Sequence, residues 1–239
     1  MAVILYLRML GYAVTIIMHL SNCVCLGEAM KGPASEDPDI KAFGALQLRF
    51  FTTWTFIVQI FHAVMGLICD YLTLKNANRA GYKLPMLLKG TKDAIFAAIL
   101  WPTVFLVFTM FWSLYSYDRS LIYPLFADKI LTRTSNHICH TAIVPVVVWE
   151  AVFQPRSVPR SHSKNIFMLA VYMLTYLNIM SYTYLETGIW MYPVFGLAHK
   201  TLLFPLIIII IGVALVTYYH MQWYLTRLVW GARVKNKTY

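Results

Sequence analysis

The chain has 239 residues, 59% of them hydrophobic and only 13% charged, with a mean hydropathy of +0.62. Soluble domains carry about 25% charged residues, so this composition excludes a soluble globular enzyme and points to a membrane protein too short for two domains. The formal charge of +10 does not point to nucleic acid, because the 20 Lys and Arg lie mostly in short segments between apolar runs, the pattern that orients membrane proteins.

The apolar runs predict an all-α fold, a polytopic transmembrane helix bundle forming a single domain over residues 1–239. Six spans are expected, over about 2–24, 49–72, 94–115, 137–153, 165–185 and 201–224. The first carries one charge, Arg8, which can reach back to the nearer interface. No small-residue cleavage site follows a short apolar core, so the run reads as an uncleaved span. Residues 27–47, with Pro33, Pro38, Glu36, Asp37 and Asp39, read as a loop.

The second run is the most informative. At 3.6 residues per turn, Thr52, Gln59 and Asp70 share one face, with Ala63 and Gly66 between them and His62 at its edge. Polar and small residues in one stripe face other helices rather than lipid. A basic loop over residues 73–93 leads to the third run, which contains Pro102.

Residues 116–141 then crowd charge, aromatics, Pro and two His between apolar runs. Tyr117-Asp118-Arg119 opens this stretch and Asn136-His137-Ile138-Cys139-His140-Thr141 closes it. The fourth run carries Glu150 ten residues past His140, about 15 Å along a helix, which puts it toward the opposite interface and outside any site built on His140. The loop over residues 186–200 holds Gly188-Ile189-Trp190-Met191-Tyr192-Pro193, aromatics suited to an interface. Cys23, Cys25, Cys69 and Cys139 form no C-x-x-C pair and no zinc spacing, and read as free thiols.

Loops two and four and the tail hold twelve Lys and Arg, against seven in loops one, three and five. That excess predicts both termini in the cytosol. The second and fourth spans then start at the same non-cytosolic interface, which brings Thr52 and His140 to one depth.

A Thr hydroxyl becomes a nucleophile when a base takes its proton, and neutral His is the usual partner. No G-x-S-x-G elbow and no H-E-x-x-H is present. His137-x-x-His140 lacks an obvious third ligand for zinc, so neither metal nor cofactor is expected. From the residues alone, a packed Thr52 that back-bonds its helix and a structural hydrogen bond from His140 stay open.

YDRSLIYP (residues 117–124), NHICHT (136–141) and GIWMYP (188–193), with FFT (50–52), Gln59 and Asp70 in register, resemble the androgen-induced gene 1 protein family, which also includes the androgen-dependent regulator of tissue factor pathway inhibitor. The likeness runs from the first span through the sixth. It implies a multipass membrane threonine hydrolase that cleaves fatty acid esters of hydroxy fatty acids, with Thr52 as nucleophile and His140, the second His of N-H-x-x-H, as base. Loop one is longer and more acidic than the family's, and Thr55 stands where the family has Asp. Asn136 and His137 are candidate oxyanion donors, Asp118 or Asp128 a candidate orienting acid, and Arg119, Arg133 or Lys200 a candidate partner for the substrate's carboxylate.

The expected partners are a lipid substrate and the membrane itself, with no nucleic acid. The competing class is a non-enzymatic multipass regulator or lipid-binding membrane protein. A haem or quinone carrier using His19, His62, His140 or His220 is a third, weakened by the different depths of those residues. The chain ends Lys235-Asn236-Lys237-Thr238-Tyr239, a K-x-K-x-x retrieval pattern that needs a cytosolic tail and predicts the endoplasmic reticulum membrane, with the plasma membrane as the other address. Asn236-Lys237-Thr238 is also an N-glycosylation acceptor, usable only from the lumen.

Overall fold

A computed structural model describes residues 2–235, with side chains for residues 3–231; Asn236 to Tyr239, and with them most of the expected retrieval pattern, lie outside the described residues. Every regular element among the described residues is helical. Helix α1 (Ala2–Ala29) runs 28 residues, about 42 Å at 1.5 Å per residue, more than the ~30 Å hydrocarbon core requires. Residues 27–47, expected as loop, extend α1 and then form a capped helical hairpin. Its helix α2 (Pro38–Leu46) starts where the Asp37 carboxylate accepts from Asp39 N at 3.0 Å, with Pro38 as its first residue, both strong start signals.

Helix α3 (Phe51–Lys75) is followed by α4 (Met86–Ile95), a π-helical turn over Phe96–Leu100, and α5 (Trp101–Asp118). These last three form one apolar rod that starts eight residues before the expected position 94. Pro102 has no N–H for the preceding turn, and the wide turn just before it absorbs that loss. The expected fourth helix is instead a pair, α6 (Arg133–His140) and α7 (Ile143–Phe153), bent by 41°. Pro145 cannot donate to the Thr141 carbonyl four residues back, which Val144 N takes at 3.1 Å, while Ala142 N reaches back five residues to His137 O at 2.8 Å beside the regular bond from Thr141 N. The helix ends at His140 for that reason.

Helix α8 (Ser163–Thr187) stops at Gly188, whose φ of 71° is the left-handed cap that glycine takes readily. Short α9 (Pro193–Ala198) leads into α10 (Leu203–Lys235). Five helical segments are long and apolar enough to cross a membrane, and the bent pair makes six if it counts as one span.

The polar stripe on α3 faces α1, as its composition predicts. Gln59 Oε1 accepts from His19 Nε2 at 2.5 Å, and Gln59 Nε2 donates to Ile143 O at 2.9 Å. Gly66 lies flat against the Tyr12 ring, with no room for a Cβ. Asp70 is fully buried and accepts from Nε and Nη2 of Arg8. Arg8 therefore turns inward instead of reaching for the interface, because an unpaired carboxylate in the bundle would cost more than a burial shared with a cation.

A second charged centre joins four helices. Glu150 of α7 is 4% exposed. It accepts from Tyr12 Oη at 2.5 Å, Lys92 Nζ at 3.0 Å and Arg156 Nη2 at 3.0 Å, with His62 Nε2 at 3.6 Å. Lys92, expected in a loop, lies in α4 and is buried here.

Candidate active site

A cavity of about 490 Å³ opens between the first turn of α3, the end of α6, the middle of α5 and α8, and the α2 hairpin, which supplies part of its wall. Most of its wall is apolar. Thr52 and His140, eighty-eight positions apart in the chain, both stand on its wall. The only charged side chain on that wall, among the described residues, is Asp39 of α2. The hairpin is tied down by the ion pair of Asp37 with Lys129 at 2.7 Å.

Thr52 is the second residue of α3 and partly exposed to the cavity. Phe50, the residue before the helix, has no side chain able to cap it. The cap comes from elsewhere: Phe51 N donates to Tyr176 Oη at 3.1 Å and Tyr192 Oη at 3.0 Å. Thr55, at the position where the resemblance expects Asp, is buried and donates to Phe51 O at 3.0 Å.

His140 is 8% exposed and lies face to face with Phe111, ring centroids 3.5 Å apart at 7°. Its Nδ1 is 2.8 Å from Asn136 Oδ1 and 3.1 Å from Asn136 O. A backbone carbonyl can only accept, so Nδ1 carries the proton and Nε2 keeps its lone pair. Nε2 makes no hydrogen bond within the described residues.

The other candidates are distributed differently. Asn136 is buried one helical turn before His140 and directs its carbonyl oxygen at the imidazole, which makes it an orienting group. His137 points away from the cavity, exposed, stacked on Trp112 at 5.2 Å and 3.0 Å from Thr141 Oγ1. Asp118 is exposed and accepts from Ser120 N at 2.9 Å and Ser120 Oγ at 2.7 Å, away from the wall. Asp128 is held by Arg119 at 2.6 Å. Arg119, Arg133 and Lys200 do not line the cavity. Glu150 is likewise absent from the wall, as its distance along the helix predicts. Among the described residues no three His, Cys, Asp or Glu side chains gather at metal-binding spacing.

Three wall residues escaped the sequence reading. Phe111 supports the His140 ring, and Tyr176 and Tyr192 hold the start of α3. Tyr192 was visible only as one aromatic of GIWMYP.

The family model described as FAR-17a/AIG1-like protein matches residues 11–225. The human androgen-dependent TFPI-regulating protein is 33% identical over 169 residues, covering 70% of each chain. Its rat counterpart is 36% identical over 105 residues, 44% of this chain and 45% of the relative. The human androgen-induced gene 1 protein is 28% identical over 145 residues, 58% of this chain and 60% of the relative. No solved structure matches. With nearly the whole helical bundle inside the match, this multipass membrane protein belongs to the FAR-17a/AIG1-like protein family.

Proposed function

We propose that the protein is a membrane-embedded threonine hydrolase that cleaves fatty acid esters of hydroxy fatty acids into a fatty acid and a hydroxy fatty acid. The observation that supports this reading is the presence of Thr52 and His140 on the wall of one largely apolar cavity, with the Nε2 lone pair of His140 unspent. The cavity's volume falls within the ~300–1,000 Å³ of sites that bury most of a small ligand, enough for the ester and part of its chains.

In the proposed reaction His140 Nε2 takes the proton of Thr52 Oγ1, which attacks the ester carbonyl carbon. The C–O bond to the hydroxy fatty acid breaks as the imidazolium returns the proton to the departing alkoxide. Water, deprotonated by the same Nε2, then attacks the acyl-threonine and releases the fatty acid. Asn136 holds the ring in the tautomer this requires. The test is hydrolysis of such an ester by purified protein in lipid vesicles; its absence under all conditions would remove the reading.

The geometry separates the two His of the motif. Asn136→Ala is expected to lower kcat about 10- to 100-fold, a range taken from the loss of groups that orient a His, with the protein still inserted. His137→Ala should stay within a fewfold of the parent. An inactive His137 variant beside an active His140 variant would reverse the assignment.

A second reading, a non-enzymatic regulator or carrier that holds a lipid, is favoured by the apolar wall alone. It predicts lipid binding without turnover.

Six spans with both termini in the cytosol form the topology we propose, together with residence in the endoplasmic reticulum. The charge asymmetry supports it, ten Lys and Arg against seven once Lys92 and Arg156, buried on Glu150, are left out. Lys235 and Lys237 changed to Ser should then release the protein toward the plasma membrane. An endoglycosidase-sensitive mass shift lost in Asn236→Gln would place the tail in the lumen and overturn this topology.

A further inference from the structure

Hydrogen counting at the start of α3 leaves one donor unspent. The hydroxyls of Tyr176 and Tyr192 each accept from Phe51 N, at 3.1 and 3.0 Å. Tyr176 O–H also donates to Tyr192 Oη at 3.2 Å. Two phenols hold two hydrogens, and their mutual bond uses one. The remaining O–H, on Tyr192, has no acceptor among the described residues. Both rings line the cavity, and the amide they cap belongs to the residue just before Thr52.

The backbone adds to this. The first N–H groups of a helix have no partner within it. Phe51 N is taken by the tyrosines, and Trp54 N reaches Phe50 O at 3.2 Å. The amides of Thr52 and Thr53, both on the cavity wall, donate to nothing among the described residues. These donors sit at the positive end of a 25-residue helix, where negative charge is stabilised. Among the described residues no cation lines the cavity to do this instead.

We propose that Tyr192 O–H, with the amides of Thr52 and Thr53, receives the oxygen of the substrate's ester carbonyl and stabilises it as it becomes an oxyanion. This rests on the hydrolase reading above and replaces Asn136 and His137 as the candidate oxyanion donors. When Thr52 Oγ1 bonds to the carbonyl carbon, the C=O π electrons move to that oxygen. They return when the C–O bond to the hydroxy fatty acid breaks. No proton need leave Tyr192; burial raises its phenol above the ordinary value, so it remains a donor at neutral pH. Such donors act mainly on kcat, because the oxygen carries full charge only near the transition state.

The experiment uses full-length protein in vesicles, with Tyr192→Phe and Tyr176→Phe. Removing one oxyanion donor lowers kcat by about 100- to 1,000-fold, and Tyr192→Phe should fall in that range with KM nearly unchanged. A long-chain trifluoromethyl ketone, which forms a tetrahedral adduct, should lose affinity by a similar factor. Tyr176→Phe leaves both the cap on Phe51 N and the Tyr192 donor, and should keep kcat within about fivefold. If the two variants lose kcat equally with ketone affinity unchanged, or Tyr192→Phe melts well below the parent, the hydroxyl is a structural cap and the proposal fails. Active wild type with fully active Tyr192→Phe removes this proposal alone; inactive wild type removes the hydrolase reading beneath it.

Discussion

Thr52→Ala and His140→Ala should each abolish ester hydrolysis while the protein still inserts and folds. The expected loss is large because a hydroxyl without its base and a base without its hydroxyl both leave only residual catalysis from the donors around the carbonyl. Combining the two changes should cost little more than either alone, since members of one catalytic unit are far from additive. Folding should survive both. Thr52 caps nothing and buries little, and the His140 ring is packed chiefly against one face of Phe111. Thr55→Ala, at a buried neighbour whose hydroxyl only back-bonds Phe51 O, is the matched control and should retain activity. Equal loss in Thr52→Ala and Thr55→Ala would point to damaged packing at the start of α3.

Removal of the Glu150 carboxylate should have the largest effect on stability. Among the described residues Glu150 is the only acid paired with Lys92 and Arg156. Glu150→Ala leaves two buried cations facing each other and frees the Tyr12 hydroxyl. Breaking a buried pair by deleting one partner costs about 3–5 kcal/mol, which in a chain this size lowers the melting midpoint by roughly 10 °C. Glu150→Gln keeps the shape and should still be severely affected, because charge is the missing element. Lys92→Met added to Glu150→Gln should recover part of the loss by removing one of the stranded cations. A Glu150→Ala protein that melts with the parent would show that the centre is open to water and of little structural weight. Because this centre is absent from the cavity wall, hydrolysis per folded molecule should change less than stability does.

What the sequence made legible follows from how local each feature is. The stripe of Gln59, Gly66 and Asp70 lies on one helix and obeys its period, so its inward face was readable without knowing the partner. Asn136 and His140 sit one turn apart, the spacing at which helical side chains meet, and their contact is of the same local kind. Thr52 and His140 were linked through charge counting and through motifs shared with a family, and both line one cavity. Lys92 and Glu150 were misjudged in partnership, because hydropathy treats a charge as a signal for loop or interface. Only the third dimension shows four helices pooling charges. The cap on α3 was beyond reach for the same reason: Tyr176 and Tyr192 come from another helix and a loop more than one hundred residues away. The break after His140 was half visible, since Pro145 stood in the run but its effect on Thr141 needed the helix start.

The measurement that addresses the central claim most directly is the site of covalent capture. A long-chain fluorophosphonate should react with the folded protein in vesicles and leave its phosphonyl group on Thr52, identified by peptide mass, with no adduct in Thr52→Ala and strongly slowed labelling in His140→Ala. Active protein whose adduct sits on any other residue, or whose labelling persists in Thr52→Ala, would contradict Thr52 as the nucleophile.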